Sequence, residues 1–397
     1  MCRYSIKSSI LLLFGAIIFF SYICQGQPLT YYKKGVIKLE ADPQFGPYEN
    51  WDLHFRDQRQ DLFVAPDGTI FVASVLDHCV RMFDKNGKFI KKFGQKGQGP
   101  GDLTNPGALS VLDENILVVG EYATLLRISL FKLDGTFIKI IKTKNSCFRP
   151  MALSKGKIAY LAMHYGPYKE NYQDIKKEII ILDINSGEEK VVDRFDHVFK
   201  YRVNSRGAMV SDDAFPEEVF FDQTKSGNLV TGSTDRSFLN VFSPSGEKIR
   251  SISLKTDLPK VSKDYIERLR EEKIRSYDNK KGESYYEGLI NSFKKSNFFL
   301  EPGQDFPYMK EILVDSEGHI LVFKVTDCVG KCQEVFQVYS EEGDYLCETL
   351  IDNGSFELTI DLRFKNIVFT SDSIVGLFSP LDSEGMSFQL VKIPIQK

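Results

Sequence analysis

The sequence predicts an all-β fold, a six-bladed β-propeller, and three observations carry that expectation. A unit of four short strands recurs six times along the chain. Two-residue turns ending in glycine punctuate those units at a regular spacing. The composition holds 31 Phe and 18 Tyr against one Trp, and such side chains suit half-buried pleated surfaces. The 397 residues could fill two or three ordinary domains, but all-β toroids use such lengths as one unit. With 42% hydrophobic and 26% charged residues, wholesale disorder is excluded.

The clearest unit runs from Asp61 to Gly94, DLFVAPDGTIFVASVLDHCVRMFDKNGKFIKKFG. Its turns, Asp67-Gly68 and Asn86-Gly87, use residues that tolerate positive φ and lie 19 residues apart. The second unit, Gly107 to Ile141, turns at Asp113-Glu114-Asn115 and Asp134-Gly135. The third, Arg149 to Phe195, turns at Lys155-Gly156 and Ser186-Gly187. The fourth, Glu217 to Leu254, turns at Ser226-Gly227 and Ser245-Gly246, again 19 apart. The fifth, Met309 to Ile351, turns at Glu317-Gly318 and Glu342-Gly343. The sixth begins near Phe364, turns at Ser383-Glu384-Gly385 and has room for only three strands before Lys397. Lys34 to Glu40 is a spare strand of alternating character, and it is expected to supply the fourth strand of the last blade. Such closure removes an exposed sheet edge.

Two insertions interrupt the repeat. One, about Tyr165 to Lys177, is polar and aromatic and falls inside the third unit. The other, about 257–305, separates units four and five and reads as helical. Ser262 is its N-cap candidate, with Ile266, Leu269, Lys273 and Ile274 on one face. A second stretch sets Tyr286, Leu289, Ile290 and Phe293 at helical spacing. The pair reads either as a decoration on the ring or as a cap shaping the channel mouth.

Residues 1–26 read as an export signal: Arg3 and Lys7 form a basic start, Ile10 to Phe20 an apolar run, and Cys24-Gln25-Gly26 a cleavage site. The run is short for a membrane span, so 27–397 is expected to be an exported propeller without one, periplasmic or at the cell surface. Cys24 opens a lipid-anchor alternative, against which Ile23 stands where a small residue is usual. The chain has 51 Lys+Arg and 54 Asp+Glu; without Arg3 and Lys7 the balance is 49 to 54, a net charge of −5. The signs are mixed, no basic run occurs, and nucleic acid is not expected as a partner.

Five cysteines follow the signal. Cys328 and Cys332 sit between two strand-like runs and can staple a loop in an oxidising compartment; half of a metal site or two free thiols are the rivals. Cys79 and Cys347 lie in apolar strand patterns.

The segment Phe93 to Pro106, FGQKGQGPGDLTNP, resembles the blade linker of NHL-repeat propellers, with Phe93-Gly94, Gly97, Gly99-Pro100-Gly101, Leu103 and Pro106 in place. The unit before it and the blade after it resemble NHL blades too. The later units share only turn spacing. The resemblance implies an exported bacterial propeller of the NHL and TolB-like type. Related propellers include a zinc lyase and calcium lactonases, so calcium or zinc in the channel is the alternative it raises; no cofactor is otherwise expected. A nucleotide-binding reading of the glycines fails, because Pro100 interrupts them and a strand, not a helix, follows.

The five histidines do not make a convincing metal set. Aligned on their first turns, units one and three leave His78 and His164 two positions out of step. No Ser-His-Asp spacing is readable, and Ser110 lacks the glycines of a nucleophile elbow. The candidate ligand-binding residues lie at strand ends: His164 and Tyr165, Tyr201 and Arg202, Asp235 and Arg236. If they share a channel mouth, the two arginines offer forks to a carboxylate or sugar acid and the tyrosines offer faces to a ring. Singly, each also reads as ordinary packing or a loop ion pair. The expected function is non-catalytic binding of a small molecule, glycan or envelope protein; the alternative is a metal-dependent hydrolase or lyase at the channel.

Overall fold

The computed structural model describes residues 27–45, 53–55, 60–113, 115–121, 126–203, 209–211, 213–278, 284–329, 332–352, 356–357, 365–380 and 388–395. Residues 1–26, read as an export signal, and Cys24 among them lie outside the described residues. Six antiparallel sheets follow one another along the chain. Blade 1 comprises Gln60–Val64, Ile70–Ser74, Cys79–Phe83 and Phe89–Phe93; blade 2, Pro106–Leu112, Ile116–Glu121, Arg127–Lys132 and Phe137–Lys142. Blade 3 comprises Phe148–Ala152, Lys157–Tyr168, Tyr172–Asp183 and Glu189–Lys200; blade 4, Val219–Gln223, Leu229–Ser233, Phe238–Phe242 and Lys248–Ser253. Blade 5 comprises Glu311–Val314, Ile320–Phe323, Glu334–Tyr339 and Tyr345–Asp352, and blade 6 begins with Ile367–Phe369, Ser373–Pro380 and Phe388–Pro394.

The glycine turns do what their chemistry requires. Gly68, Gly87, Gly135, Gly227 and Gly246 all have φ near +80°, a region that costs an L side chain about 1–2 kcal/mol. Each reverses the chain within a few residues, so successive strands pair and their alternate side chains face the neighbouring blade. Six apolar clusters result, one in each seam: Phe71 and Leu117 between blades 1 and 2, Val118 and Tyr160 between 2 and 3, and Ile179 and Phe221 between 3 and 4. Val230 and Ile312 fill the seam of blades 4 and 5, Phe336 and Ile374 that of 5 and 6, and Leu377 and Leu62 that of 6 and 1. The sixth cluster closes the ring. The fold is a six-bladed β-propeller.

Closure by an N-terminal strand occurs, but through a different segment from the one the alternation suggested. Val36–Lys38 runs parallel to Tyr345–Asp352, adding a fifth strand to blade 5, with Ile37 fully buried and both neighbours exposed. The outer strand of blade 6 is His54–Phe55, paired with Phe388 and Gln389. Phe55 is buried in the seam of blades 6 and 1, and Leu62 donates to the Lys365 carbonyl at 2.7 Å across the same joint. Two residues are too few to show strand periodicity in a sequence.

Helix α1 (Gln27–Lys33) precedes the added strand and drives Tyr31 and Tyr32 into the seam of blades 5 and 6. The Tyr32 hydroxyl donates to Asp315 at 2.9 Å. The insertion after blade 4 forms helices α2 (Lys263–Asp278) and α3 (Ser284–Phe293). Ser262 caps α2, its Oγ accepting from Tyr265 N at 2.9 Å. Ile266, Phe293, Phe298 and Phe306 make a seventh cluster, outside the seams, against which Val325 and Val329 of the cysteine loop pack. Cys328 and Cys332 are bonded to each other. The Tyr165–Lys177 insertion is a strand extension instead of a loop. The middle strands of blade 3 continue their pairing through Tyr165↔Ile175 and, after a one-residue register shift, Tyr168↔Gln173, making a ribbon that projects from the ring. Alternating polar and aromatic side chains satisfy a sheet with one open face as readily as a loop.

Candidate functional site

Strand direction sorts the connections onto two faces. Turns joining first to second and third to fourth strands lie on one face and are short: Ala65–Thr69, Asp84–Lys88, Thr224–Asn228 and Asp315–His319 are each closed by two backbone hydrogen bonds. Connections from second to third strand, and from blade to blade, emerge on the other. The ribbon of blade 3, the helical insertion, the cysteine loop and the glycine-rich segment after Phe93 are all there.

The first strands of the blades line the central channel. A cavity of about 390 Å³ opens towards the turn face, bounded by Phe63, Ser110, Met151, Asp222, Val314 and Lys365 among others, with every blade contributing. A second pocket, about 230 Å³, opens on the insertion face at the starts of the first strands of blades 2, 3 and 4. Its walls are Ala108 and Gly120, then Phe148, Met163 and Tyr165, with Glu218 at the side. Arg149 lines both spaces.

Five charged side chains are gathered along this axis. Asp222 accepts from Lys365 Nζ and from Val314 N, both at 2.8 Å. Glu311 forms an ion pair with Arg149 at 3.6 Å, and its Oε1 accepts from Ile312 N at 2.9 Å. Asp61 accepts from Leu109 N at 2.6 Å, Leu62 N at 3.0 Å and Lys365 N at 3.1 Å, joining blades 6, 1 and 2. Burial pushes the Asp61 carboxyl up to about 7, against the pull of Leu109 N, Arg149 and Lys365. Burial likewise raises Glu311, with Arg149 opposing. Among the described residues no three His, Cys, Asp or Glu side chains converge as a metal-binding group.

Sequence reasoning missed this axis, although a signal was present. Asp61, Arg149 and Glu311 each stand seven residues before a turn glycine, Gly68, Gly156 and Gly318. Three charged residues at one register of a repeat, on strands whose neighbours are apolar, mark a shared inner ring.

The candidates from the sequence are spread over the insertion face. Tyr165, 60% exposed, lines the mouth pocket. His164 turns to the opposite side of the ribbon, its Nε2 3.2 Å from Glu178. A shallow groove there, about 490 Å³, also holds Lys176 and Asp196. Tyr201 is buried, its hydroxyl donating to the Lys169 carbonyl and its ring near Tyr168 and Phe199. It fastens the base of the ribbon. Arg202 lies over Phe299 at 5.9 Å, and burial pulls its guanidinium below the ordinary value. Asp235 accepts from Ser233 Oγ at 2.5 Å. Arg236 reaches across the seam to Asp193 at 3.1 Å and lies 3.8 Å above the Phe195 ring. Asp193 also accepts from Thr231 at 2.7 Å and Asn240 at 3.1 Å, so Arg236 belongs to an inter-blade lock. The two arginines take different partners, Phe299 for Arg202 and Asp193 for Arg236. Asn204 and Arg206, which follow Arg202 in sequence, lie outside the described residues.

A family model described as a 6-bladed beta-propeller (DUF5128) matches residues 61–225. A putative exported protein from Bacteroides fragilis is similar in structure, at TM-score 0.46 and 13% identity over 91% of this chain and 99% of that one. A DUF4221 member from Bacteroides vulgatus gives 0.46 and 11% over 89% and 97%. Virginiamycin B lyase from Staphylococcus aureus gives 0.39 and 10% over 85% and 98%. No curated protein matches the sequence.

Proposed function

We propose that this is an exported, NHL-like binding propeller of the cell envelope, acting without catalysis, whose recognition surface is the insertion face. The observation that carries the reading is the asymmetry of the two faces: long connections ring one mouth of the channel, while short turns ring the other. Loops placed by a rigid scaffold are where such folds hold their ligands. The basic-apolar start at residues 1–20 supports export. No helix among the described residues is long and apolar enough to cross a membrane. Helix α1 docks beside Asp315 on the turn face, so a chain tethered by its N-terminus would hold the insertion face outward.

A photo-crosslinking residue placed at Tyr165, and separately at Glu342 on the turn face, tests this in intact cells. Adducts identified by mass spectrometry at position 165 and not at 342 are expected. Adducts confined to 342 would overturn the assignment of the face.

A further inference from the structure

We propose that Arg149 is the anion anchor of the mouth pocket, and that the pocket takes a small organic acid. One carboxylate would meet the guanidinium, and an apolar or ring-shaped body would lie between Phe148, Met163 and Tyr165. This rests on the insertion face being the recognition surface and adds the chemistry of the ligand.

The backbone is the first argument. Arg149 has φ +50° although Pro150 follows it, and the register of its strand slips between Phe148 and Met151. A residue before proline favours extended backbone, and a left-handed non-glycine costs about 1–3 kcal/mol. Asp61 and Glu311, at the same register, sit in strands that pair without a slip and lack positive φ. An inward side chain at this register therefore needs no bulge. The bulge sets Arg149 apart from them, and the residue lines both the axial cavity and the mouth pocket, as bulged residues beside binding sites do.

The surroundings are the second argument. The guanidinium lies 5.6 Å from the Phe221 ring centroid, held from below, and its ion pair with Glu311 spans 3.6 Å. A ligand carboxylate at ~2.8 Å, received by two parallel N–H groups, is the stronger contact. At about 230 Å³ the pocket is smaller than the ~300–1,000 Å³ of drug-sized sites, so it fits a small molecule. Gly120 lets Pro150, next to Arg149, pack closely at that wall, because a Cβ there would come within 2.2 Å of it.

Phenylacetate and its uncharged amide, phenylacetamide, titrated calorimetrically at pH 7, provide the test. The acid is expected to bind and the amide to bind at least 10-fold more weakly. Arg149→Met should weaken phenylacetate at least 10-fold, and Arg149→Lys less, because an ammonium keeps the charge and loses the fork. Tyr165→Ala, at an exposed position, should weaken it several-fold with an unchanged melting temperature. Should Arg149→Met fail to fold, the amide and Arg149→Lys decide. Equal binding of acid and amide, or no binding of phenylacetate, overturns the proposal. Wild-type affinity in both Arg149 variants with loss in Tyr165→Ala removes the anchor and leaves the insertion face standing. Wild-type affinity in all three variants removes both.

Discussion

The two faces of the ring are built from different kinds of information. On the turn face each connection is closed by bonds within itself. Asp67 Oδ1 accepts from Thr69 N, Asp84 Oδ1 from Asn86 N and Asp134 Oδ1 from Thr136 N, each within 2.8–2.9 Å, and a glycine supplies the left-handed step. On the insertion face the contacts join distant parts of the chain. Arg236 meets Asp193 of another blade, the cysteine loop supports α2 through Arg268 and the Asp327 carbonyl at 3.1 Å, and Lys177 reaches the Glu217 carbonyl. One face is set by short-range turn chemistry and serves to hold the ring. The other depends on the assembled ring and is free to specialise.

The largest effect expected from this contrast is at Asp61, where three blades meet on one carboxyl. Its ordinary value of 3.8 rises to about 7 on folding, so between these limits the folded chain keeps a proton that the unfolded chain has released. Stability therefore falls as pH rises from about 4 to about 7, by up to ~4 kcal/mol from this group. Asp61→Asn should lack that fall, while losing about 1 kcal/mol for a weakened acceptor. Urea unfolding of both proteins at pH 5 and pH 8 checks it; parallel pH profiles would contradict the protonated carboxyl.

On the turn face, glycines should differ according to what covers them. A Cβ at Gly87 would stand 2.3 Å from the Phe45 carbonyl oxygen, in addition to φ +79°, whereas Gly187, at φ +73°, has nothing within 4 Å. Gly87→Ala is expected to cost ~3 kcal/mol or more and Gly187→Ala ~1 kcal/mol. Similar melting temperatures for the two variants would show that the N-terminal segment around Phe45 does not cover the turn. Arg236→Ala falls between those two, expected to cost ~2 kcal/mol because the pair with Asp193 is only partly shielded from water. Phenylacetate affinity should not change. A binding defect at full stability would move Arg236 from the inter-blade lock into the recognition surface.

The same contrast explains what the sequence made legible. The ring, its count of six and the turn positions are readable because a left-handed residue between two apolar runs has few other meanings. Ser262 is readable as a cap for the same reason, its partner lying three residues away. The fate of Val36–Lys38 is not, because alternation at Ile37 says that one face is buried and nothing about which sheet buries it. Arg149 is the instructive case. As the first residue of the third unit it carries no mark of a role on its own, and only its shared register with Asp61 and Glu311 sets it on the axis. Arg236 shows the converse: an arginine beside an aspartate in sequence takes a different aspartate in space.

The most direct measurement is a crystal structure of the full folded domain grown with phenylacetate. The account predicts ligand density in the pocket of Phe148, Met163 and Tyr165, with the carboxylate on Arg149. Density in the opposite cavity, against Lys365 and Asp222 on the turn face, would contradict it.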